Sequence, residues 1–439
     1  MNEFWHHQTL GRTPFGLIVV GALSTLLYAL AKINFDGAAR IFEPILILTG
    51  FWAVYRYGNG IGRSRVFWFL WLAVVLQVAT WILAQSSHPE FAEPVPSLDR
   101  LAKLFIFILL AWWLAGSTRN TLCFWSVASL GVLLSPWLSG DGFREILQGL
   151  QGARIDFDLR NAQHTSLFFG SVLIGLLAFH RRALMAPRFR TALRIGWLLA
   201  VALSAIVVFI TQTRGAWLAL LIALLVASAG ATLHFRKRLA QHWKWLLAAL
   251  AFLALATALL TPLAADIVTN RVGYESEVVE MLLNGEVENL PYSSIGIRIH
   301  TWRAGWEFFL QHPVLGWGGN GRTLVIAHTP WLPDSVKREF GHLHNSYLEL
   351  LVSYGVMGLA LYLGLLGWLA RRAYRAYRQH DLPADVMLFF YAFLGFWSVI
   401  NLFESYLFFW TGTFVFNVIC AGALTHIWRP CFRRSQEAG

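Results

Sequence analysis

Charged residues are scarce in this sequence of 439 residues: Asp, Glu, Lys and Arg make up 13% of it, whereas apolar residues make up 57%. Soluble globular chains carry about 25% charged residues, so this composition excludes a soluble enzyme. A bilayer span needs roughly 20 apolar residues, and the chain is long enough for about a dozen such helices. The sequence therefore predicts an all-α polytopic membrane protein with residues 1–439 as a single membrane domain.

Cysteine is rare as well, and acidic residues are outnumbered. The three cysteines, Cys123, Cys420 and Cys431, lie in or beside apolar runs without paired spacing, which excludes a disulfide framework and a cysteine zinc site. The sequence has 24 acidic and 35 basic residues, a net charge of +11. Because the basic residues lie between apolar runs, the charge indicates membrane topology and lipid contact rather than nucleic-acid binding.

Twelve apolar runs have a length suited to crossing a bilayer. They are 15–31, 42–57, 66–86, 99–116, 121–139, 164–180, 192–212, 215–233, 243–263, 344–370, 385–402 and 405–428. The first run has no small-residue cleavage site, so we expect it to remain as a span. The larger part of the Lys and Arg residues falls in short connections on one side, which predicts that this side, with both termini, is cytoplasmic.

Residues 264–343 form the longest outward connection, between the ninth and tenth predicted spans. Apolar residues at helical spacing predict a helix over 296–311, with Ser293 and Ser294 as possible caps and an end at His312-Pro313. A glycine-rich turn and a short amphipathic stretch, Asp334–Phe340, follow. Because long connections are commonly functional, we interpret 264–343 as a partly helical lid on the outer face.

Histidines stand at the mouth of the tenth span, in His342-Leu343-His344-Asn345. If the helix begins at residue 344, its first-turn N–H groups favour an anion, and His344 is placed for proton transfer beside it. The alternative is that Asn345 and the histidines are ordinary residues of a helix entrance. The His-x-His spacing also permits a metal, but no carboxylate cluster accompanies it in the sequence, so we predict no metal.

Three arginines are candidates for binding phosphate. Arg214 lies in a polar hinge between two apolar runs, Arg298 lies on the apolar side of the predicted lid helix, and Arg154 begins the outward polar run before the sixth span. The planar guanidinium suits a pair of phosphate oxygens. The alternatives are a membrane-interface anchor for Arg214 and a solvated loop for Arg154. Together with the histidines, these residues predict a site for a dianionic lipid head group.

Four local patterns make the chain resemble the bacterial O-antigen ligase family, within the O-antigen ligase and polymerase superfamily. They are Thr211-Gln212-Thr213-Arg214-Gly215; Arg298, Trp302, His312-Pro313, Gly316 and Gly318; His344, Asn345, Leu348 and Gly355; and Arg154, Asn161, Gln163 and His164. Thr213 stands where the family has serine, and Gln163 stands where it usually has asparagine. The resemblance covers most of the chain.

The resemblance implies a GT-C-like glycosyltransferase of the bacterial inner membrane with its active site on the periplasmic face. It implies that the enzyme takes O-antigen from undecaprenyl diphosphate and joins it to a sugar hydroxyl of lipid A–core, without metal or other cofactor. His344, with His342 as the fallback, would be the general base. Arg214, Arg298, Arg154 and Asn345 would hold the diphosphate. A single base opposite the leaving group predicts inversion at the anomeric carbon.

Other functions remain in competition with ligation. An O-antigen polymerase or a protein O-oligosaccharyltransferase would share the donor and differ in the acceptor. A transporter or flippase of lipid-linked sugars would place charged residues across both leaflets or show related halves, and the sequence has neither pattern. A scaffold without chemistry leaves the arginines and histidines unexplained.

Overall fold

The structure is a computed structural model that describes residues 5, 10, 11, 13–58, 60–185, 190–230 and 276–437, and these residues form helices and turns without any strand. The helices are α1 (Phe15–Asn34), α2 (Asp36–Tyr57), α3 (Arg65–Ser87), α4 (Asp99–Ala102), α5 (Phe107–Trp113), α6 (Thr118–Leu138), α7 (Phe143–Leu150), α8 (Ala162–Ala178), α9 (His180–Leu184), α10 (Arg190–Ile210), α11 (Arg214–Gly230), α12 (Ser276–Leu283), α13 (Ser294–Gln311), α14 (Gly321–His328), α15 (Asp334–Glu339), α16 (Ser346–Arg378), α17 (Ala384–Ile400), α18 (Trp410–Ile427) and α19 (Arg429–Glu437).

Seven of the described helices are long and apolar enough to cross a membrane: α1, α2, α3, α6, α10, α16 and α18. The apolar helices α8, α11 and α17 are shorter. Each of these helices lies on a predicted span, which confirms an all-α polytopic membrane protein. The predicted span 243–263, and residues 264–275 of the predicted lid, lie outside the described residues.

The predicted span 99–116 is not one continuous helix, because the chain is broken between α4 and α5. Its backbone finds partners on α18 instead of within one helix. The N–H of Phe107 donates to Asn417 Oδ1 at 2.7 Å, and Asn417 Nδ2 donates to the carbonyl of Lys103 at 2.7 Å. Residues 104–115 are buried. Irregular backbone at membrane depth is tolerated when other parts of the protein satisfy it.

The lid helix follows the prediction closely. Helix α13 spans Ser294–Gln311, and the Ser293 hydroxyl oxygen accepts the Gly296 N–H at 3.3 Å as its cap. The lid has a small apolar core of its own with the start of α16. Its buried members are Ala304, Phe309, Trp317, Leu324, Val325, Ile326, Leu332, Val336, Leu343, Leu348 and Val352. The described part of the lid is therefore folded onto the α16 entrance.

A kink in α16 fastens the lid to this helix. Gly355 has φ 63° and ψ −164° within α16, and the lid turn after α13 pairs with the opened backbone. The N–H of Trp317 donates to the Val352 carbonyl at 2.8 Å, and the N–H of Val356 donates to the Pro313 carbonyl at 2.8 Å. These hydrogen bonds consequently fix the lid turn relative to α16.

We expect the Gly355→Ala substitution to destabilise the protein strongly. A Cβ at residue 355 would lie 2.1 Å from the backbone oxygen of Val314, and the positive φ disfavours any L side chain. The thermal unfolding midpoint in detergent measures the effect. Gly367→Ala on the same helix is the matched control, because its Cβ would meet nothing within 4 Å. Equal midpoints for the two variants would contradict the proposed role of the kink.

Candidate functional site

Several connections meet at one end of the helix bundle. Helices α10 and α17 end there, and α8, α11, α16 and α18 begin there. Most of the non-glycine residues with positive φ in the described chain lie in these connections: Phe157, Asp158, Arg160, Gln212 and His344. Such backbone strain persists only where the surrounding structure enforces it, and it concentrates at functional sites. This end of the bundle is therefore the candidate site.

The predicted helix start at residue 344 is wrong, because α16 begins at Ser346 with Asn345 as its cap. The Asn345 side-chain oxygen accepts the N–H groups of Tyr347 at 3.1 Å and Leu348 at 3.2 Å. The first-turn N–H groups, which were predicted to favour an anion, therefore donate hydrogen bonds within the protein. His344 precedes the helix in a left-handed conformation, with φ 52°.

A buried carboxylate holds both histidines. Glu404, which follows α17, places Oε2 3.3 Å from His344 Nδ1 and Oε1 3.2 Å from His342 Nε2. Burial alone raises the pKa of Glu404, but hydrogen bonds and charges from His342 and His344 outweigh it, so the pKa lies well below its ordinary value. The contact to Nδ1 leaves Nε2 of His344 as the nitrogen that can exchange a proton with a ligand.

Glu349, a second buried carboxylate, joins the segment with the histidines to the segment with Glu404. It accepts the N–H of Leu343 at 2.8 Å and the hydroxyl of Ser405 at 2.6 Å through Oε1. Its Oε2 lies 3.5 Å from Nη1 of Arg322, a lid residue. The contacts of Glu349 therefore fix the spacing between His344 and Glu404.

The three predicted arginines lie together although they come from three distant segments. Arg154, Arg214 and Arg298 line one cavity of about 370 Å³. The rest of its wall comprises Gln163, Gln212, Thr213, Gly215, Leu218, Ser294, Ile295 and Phe403. The wall is polar on the side of the Thr211–Gly215 hinge, and the described residues that line it contribute three guanidinium groups and no carboxylate. A cavity of this kind suits a doubly charged phosphate group.

Tyr406 connects the arginine cavity with the histidines. Its hydroxyl donates to the carbonyl of Gln163, a residue of the cavity wall, at 2.9 Å. Tyr406 also lies two residues after Glu404, which contacts both histidines. The proton-accepting groups and the arginine cavity are therefore neighbours.

The same histidines can also be viewed as metal ligands. His342, His344 and Glu404 each offer one ligand atom, and these atoms lie within 4.8 Å of one another. No carboxylate cluster accompanies the histidines in the sequence, but the fold brings one carboxylate to them: Glu404 is distant in sequence and adjacent in space. Two histidines and a carboxylate are a ligand set that zinc uses, so the cluster suits either a proton relay or a cation.

Sequence reasoning missed Glu404, Arg322 and Arg160 as members of the site. Glu404 did leave a signal, because it is a lone acidic residue in a short connection between two apolar runs, where a charge is costly and tends to be functional. The sequence carries no comparable signal for Arg322 or Arg160, because basic residues are common in outward loops.

Residues 199–363 match the O-antigen ligase family model. The matched segment runs from α10 through the hinge and the lid to α16, and it includes Arg214, Arg298, His342 and His344. Arg154 and Glu404 lie outside it. No curated protein matches the chain.

Proposed function

We propose that this chain, whose residues 199–363 match the O-antigen ligase family model, joins a glycan from undecaprenyl diphosphate to a sugar hydroxyl of lipid A–core. Members of the family are membrane glycosyltransferase-like enzymes. The reaction takes place at the periplasmic face of the bacterial inner membrane, in a single GT-C-like membrane domain with both termini in the cytoplasm. The observation that carries the proposal is the arginine cavity beside the His344–Glu404 pair.

Glycosyl transfer requires a base and a stabilised leaving group, and the site offers both. The acceptor oxygen attacks the anomeric carbon and forms the new C–O bond, while its proton passes to Nε2 of His344. The bond between the anomeric carbon and the phosphate oxygen breaks, and its electron pair leaves with undecaprenyl diphosphate. Glu404 stabilises the imidazolium through Nδ1, as the carboxylate of a catalytic triad does.

Arg154, Arg214 and Arg298 hold the diphosphate while negative charge builds on the oxygen that leaves. Fixed cations aimed at developing charge act without reorganising at the moment of reaction. Three guanidinium groups can do what a divalent cation does in metal-dependent transferases. Asn345 contributes by capping α16 and so fixing the position of His344. Because one base faces one leaving group, the product is inverted at the anomeric carbon.

The alternatives within the superfamily, an O-antigen polymerase and a protein O-oligosaccharyltransferase, would use the same donor site with another acceptor. A flippase is disfavoured because the described cluster of arginines, histidines and buried carboxylates lies at one end of the bundle. A transport path needs polar groups through both leaflets.

Deletion of the gene in its own host separates these functions. Loss of all polymer from lipid A–core, with carrier-linked chains accumulating, is the result that we expect. Retention of a single O-unit on lipid A–core would indicate a polymerase, and unchanged lipopolysaccharide with loss of a protein-linked glycan would indicate an oligosaccharyltransferase. Complementation with the wild-type gene is the control.

A further inference from the structure

Two further arginines surround one aromatic ring beside the histidines. Cζ of Arg160 lies 3.8 Å from the ring centroid of Phe409, and Cζ of Arg322 lies 5.4 Å from the same centroid. The ring of His342 lies 5.2 Å from that of Phe409, edge to face. We call Arg160, Arg322 and Phe409 the Phe409 cluster. None of its members lines the arginine cavity.

The positive charge of the Phe409 cluster is incompletely neutralised. Within the described chain, no carboxylate lies at ion-pair distance from Arg160, which is exposed. Arg322 has Nε and Nη1 buried without a hydrogen-bond partner among the described residues. Nη1 of Arg322 lies 3.5 Å from Oε2 of Glu349 without forming a hydrogen bond to it, and Oε1 of Glu349 accepts hydrogen bonds from Leu343 and Ser405 instead. Burying hydrogen-bond donors without acceptors costs free energy, unless a bound ligand provides the acceptors.

Arg160, one of the two arginines, lies on a strained stretch of backbone. Arg160 has φ 77°, and Phe157 and Asp158 just before it also have positive φ. None of these residues is glycine, so the loop pays a conformational cost to hold Arg160 over the Phe409 ring. A solvated loop arginine needs no such strain.

The position of the Phe409 cluster indicates which of the two substrates it contacts. In an inverting displacement, the attacking hydroxyl and the leaving diphosphate lie on opposite sides of the anomeric carbon, and the base lies with the hydroxyl. The arginine cavity is assigned to the diphosphate, whereas the Phe409 cluster adjoins the histidines through His342. Cations on the side of the base are therefore placed to meet the acceptor.

We infer that the Phe409 cluster binds a negatively charged group, a phosphate or a carboxylate, on the core sugars of the acceptor glycolipid. This inference rests on the proposed function and specifies its acceptor. Arg160 and Arg322 donate charge-assisted hydrogen bonds to the anion, and the anion anchors the sugar so that its hydroxyl reaches His344.

Equilibrium binding tests the inference without requiring turnover. The full-length protein in nanodiscs is titrated with lipid A–core, with lipid A–core stripped of core phosphates, with lipid A–core whose carboxyl groups are reduced, and with the undecaprenyl-diphosphate donor. The variants are Arg160→Gln and Arg322→Gln. Arg338→Gln, an exposed arginine of the lid outside the cluster, is the matched control.

We expect both variants to weaken binding of intact lipid A–core by about 10- to 100-fold, the worth of charge-assisted hydrogen bonds. Donor binding and the control should not change. One of the two modified glycolipids should bind the wild-type protein as weakly as intact lipid A–core binds the variants. The group removed from that glycolipid is the anion that the cluster binds. Unchanged acceptor binding, or weakened donor binding, would overturn the inference. If Arg322→Gln unfolds the protein, the Arg160→Gln variant alone tests the inference, because Arg160 is exposed. Acceptor binding through these arginines without any transfer would contradict the proposed function and leave the inference standing.

Discussion

The His344→Ala variant should transfer glycan about 10²- to 10⁴-fold more slowly than the wild-type protein, the usual contribution of a general base. Glu404 contacts Nδ1 of His344, and in the proposed mechanism Nε2 accepts the proton of the acceptor hydroxyl. The rate is measured with purified protein, donor and acceptor. The variant should remain folded, because His342 still contacts Glu404 and the His344 side chain is not part of the α16 cap, and the thermal midpoint measures this.

Three comparisons sharpen this prediction. Glu404→Gln keeps the shape of the side chain but removes the charge that stabilises the imidazolium, so it should slow transfer as well. His180→Ala, an exposed histidine of α9, is the matched control and should be fully active. If His344→Ala keeps near-normal turnover and His342→Ala does not, the two histidines exchange roles.

The Arg214→Lys and Arg298→Lys variants should each lose about 10²-fold in kcat/KM, although lysine keeps the positive charge. Both arginines line the cavity of about 370 Å³. A lysine cannot engage two phosphate oxygens with a planar fork. Because both residues bind one diphosphate in the proposed mechanism, their losses should be non-additive in a double-mutant cycle.

Arg303→Lys is the matched control for the lid arginine. Arg303 lies on the same helix, α13, but contacts Glu288 and Glu307 at the surface, at 3.1 Å each. Exposed ion pairs of this kind are worth little, so this variant should retain full activity. Full activity of Arg214→Lys or Arg298→Lys, or strictly additive losses, would mean that the diphosphate is bound elsewhere.

The sequence predicts the spans and the lid helix because their signals are local. A run of apolar residues is required by the bilayer itself, and the apolar spacing of residues 296–311 appears again as helix α13. Arg154, Arg214 and Arg298, which the sequence places on one side of the membrane, line one cavity in the structure.

The parts that the sequence could not predict depend on distant partners. The break in the 99–116 crossing is satisfied by Asn417 of α18, which no local pattern reveals. The start of α16 was misplaced because the Asn345 side chain captures the first N–H groups and so fixes the boundary two residues later than predicted. Glu404 reaches His344 only because α16, α17 and α18 fold together.

The central claim is that a histidine base and arginines, without a metal, transfer the glycan with inversion. Purified protein in liposomes, given defined donor and lipid A–core in excess EDTA, tests it most directly when the anomeric configuration of the product is read by NMR. We predict sustained transfer, an inverted linkage and release of one undecaprenyl diphosphate per glycan transferred. Loss of transfer that a divalent cation restores would assign His342, His344 and Glu404 to a metal, and a retained configuration would contradict the single-base mechanism.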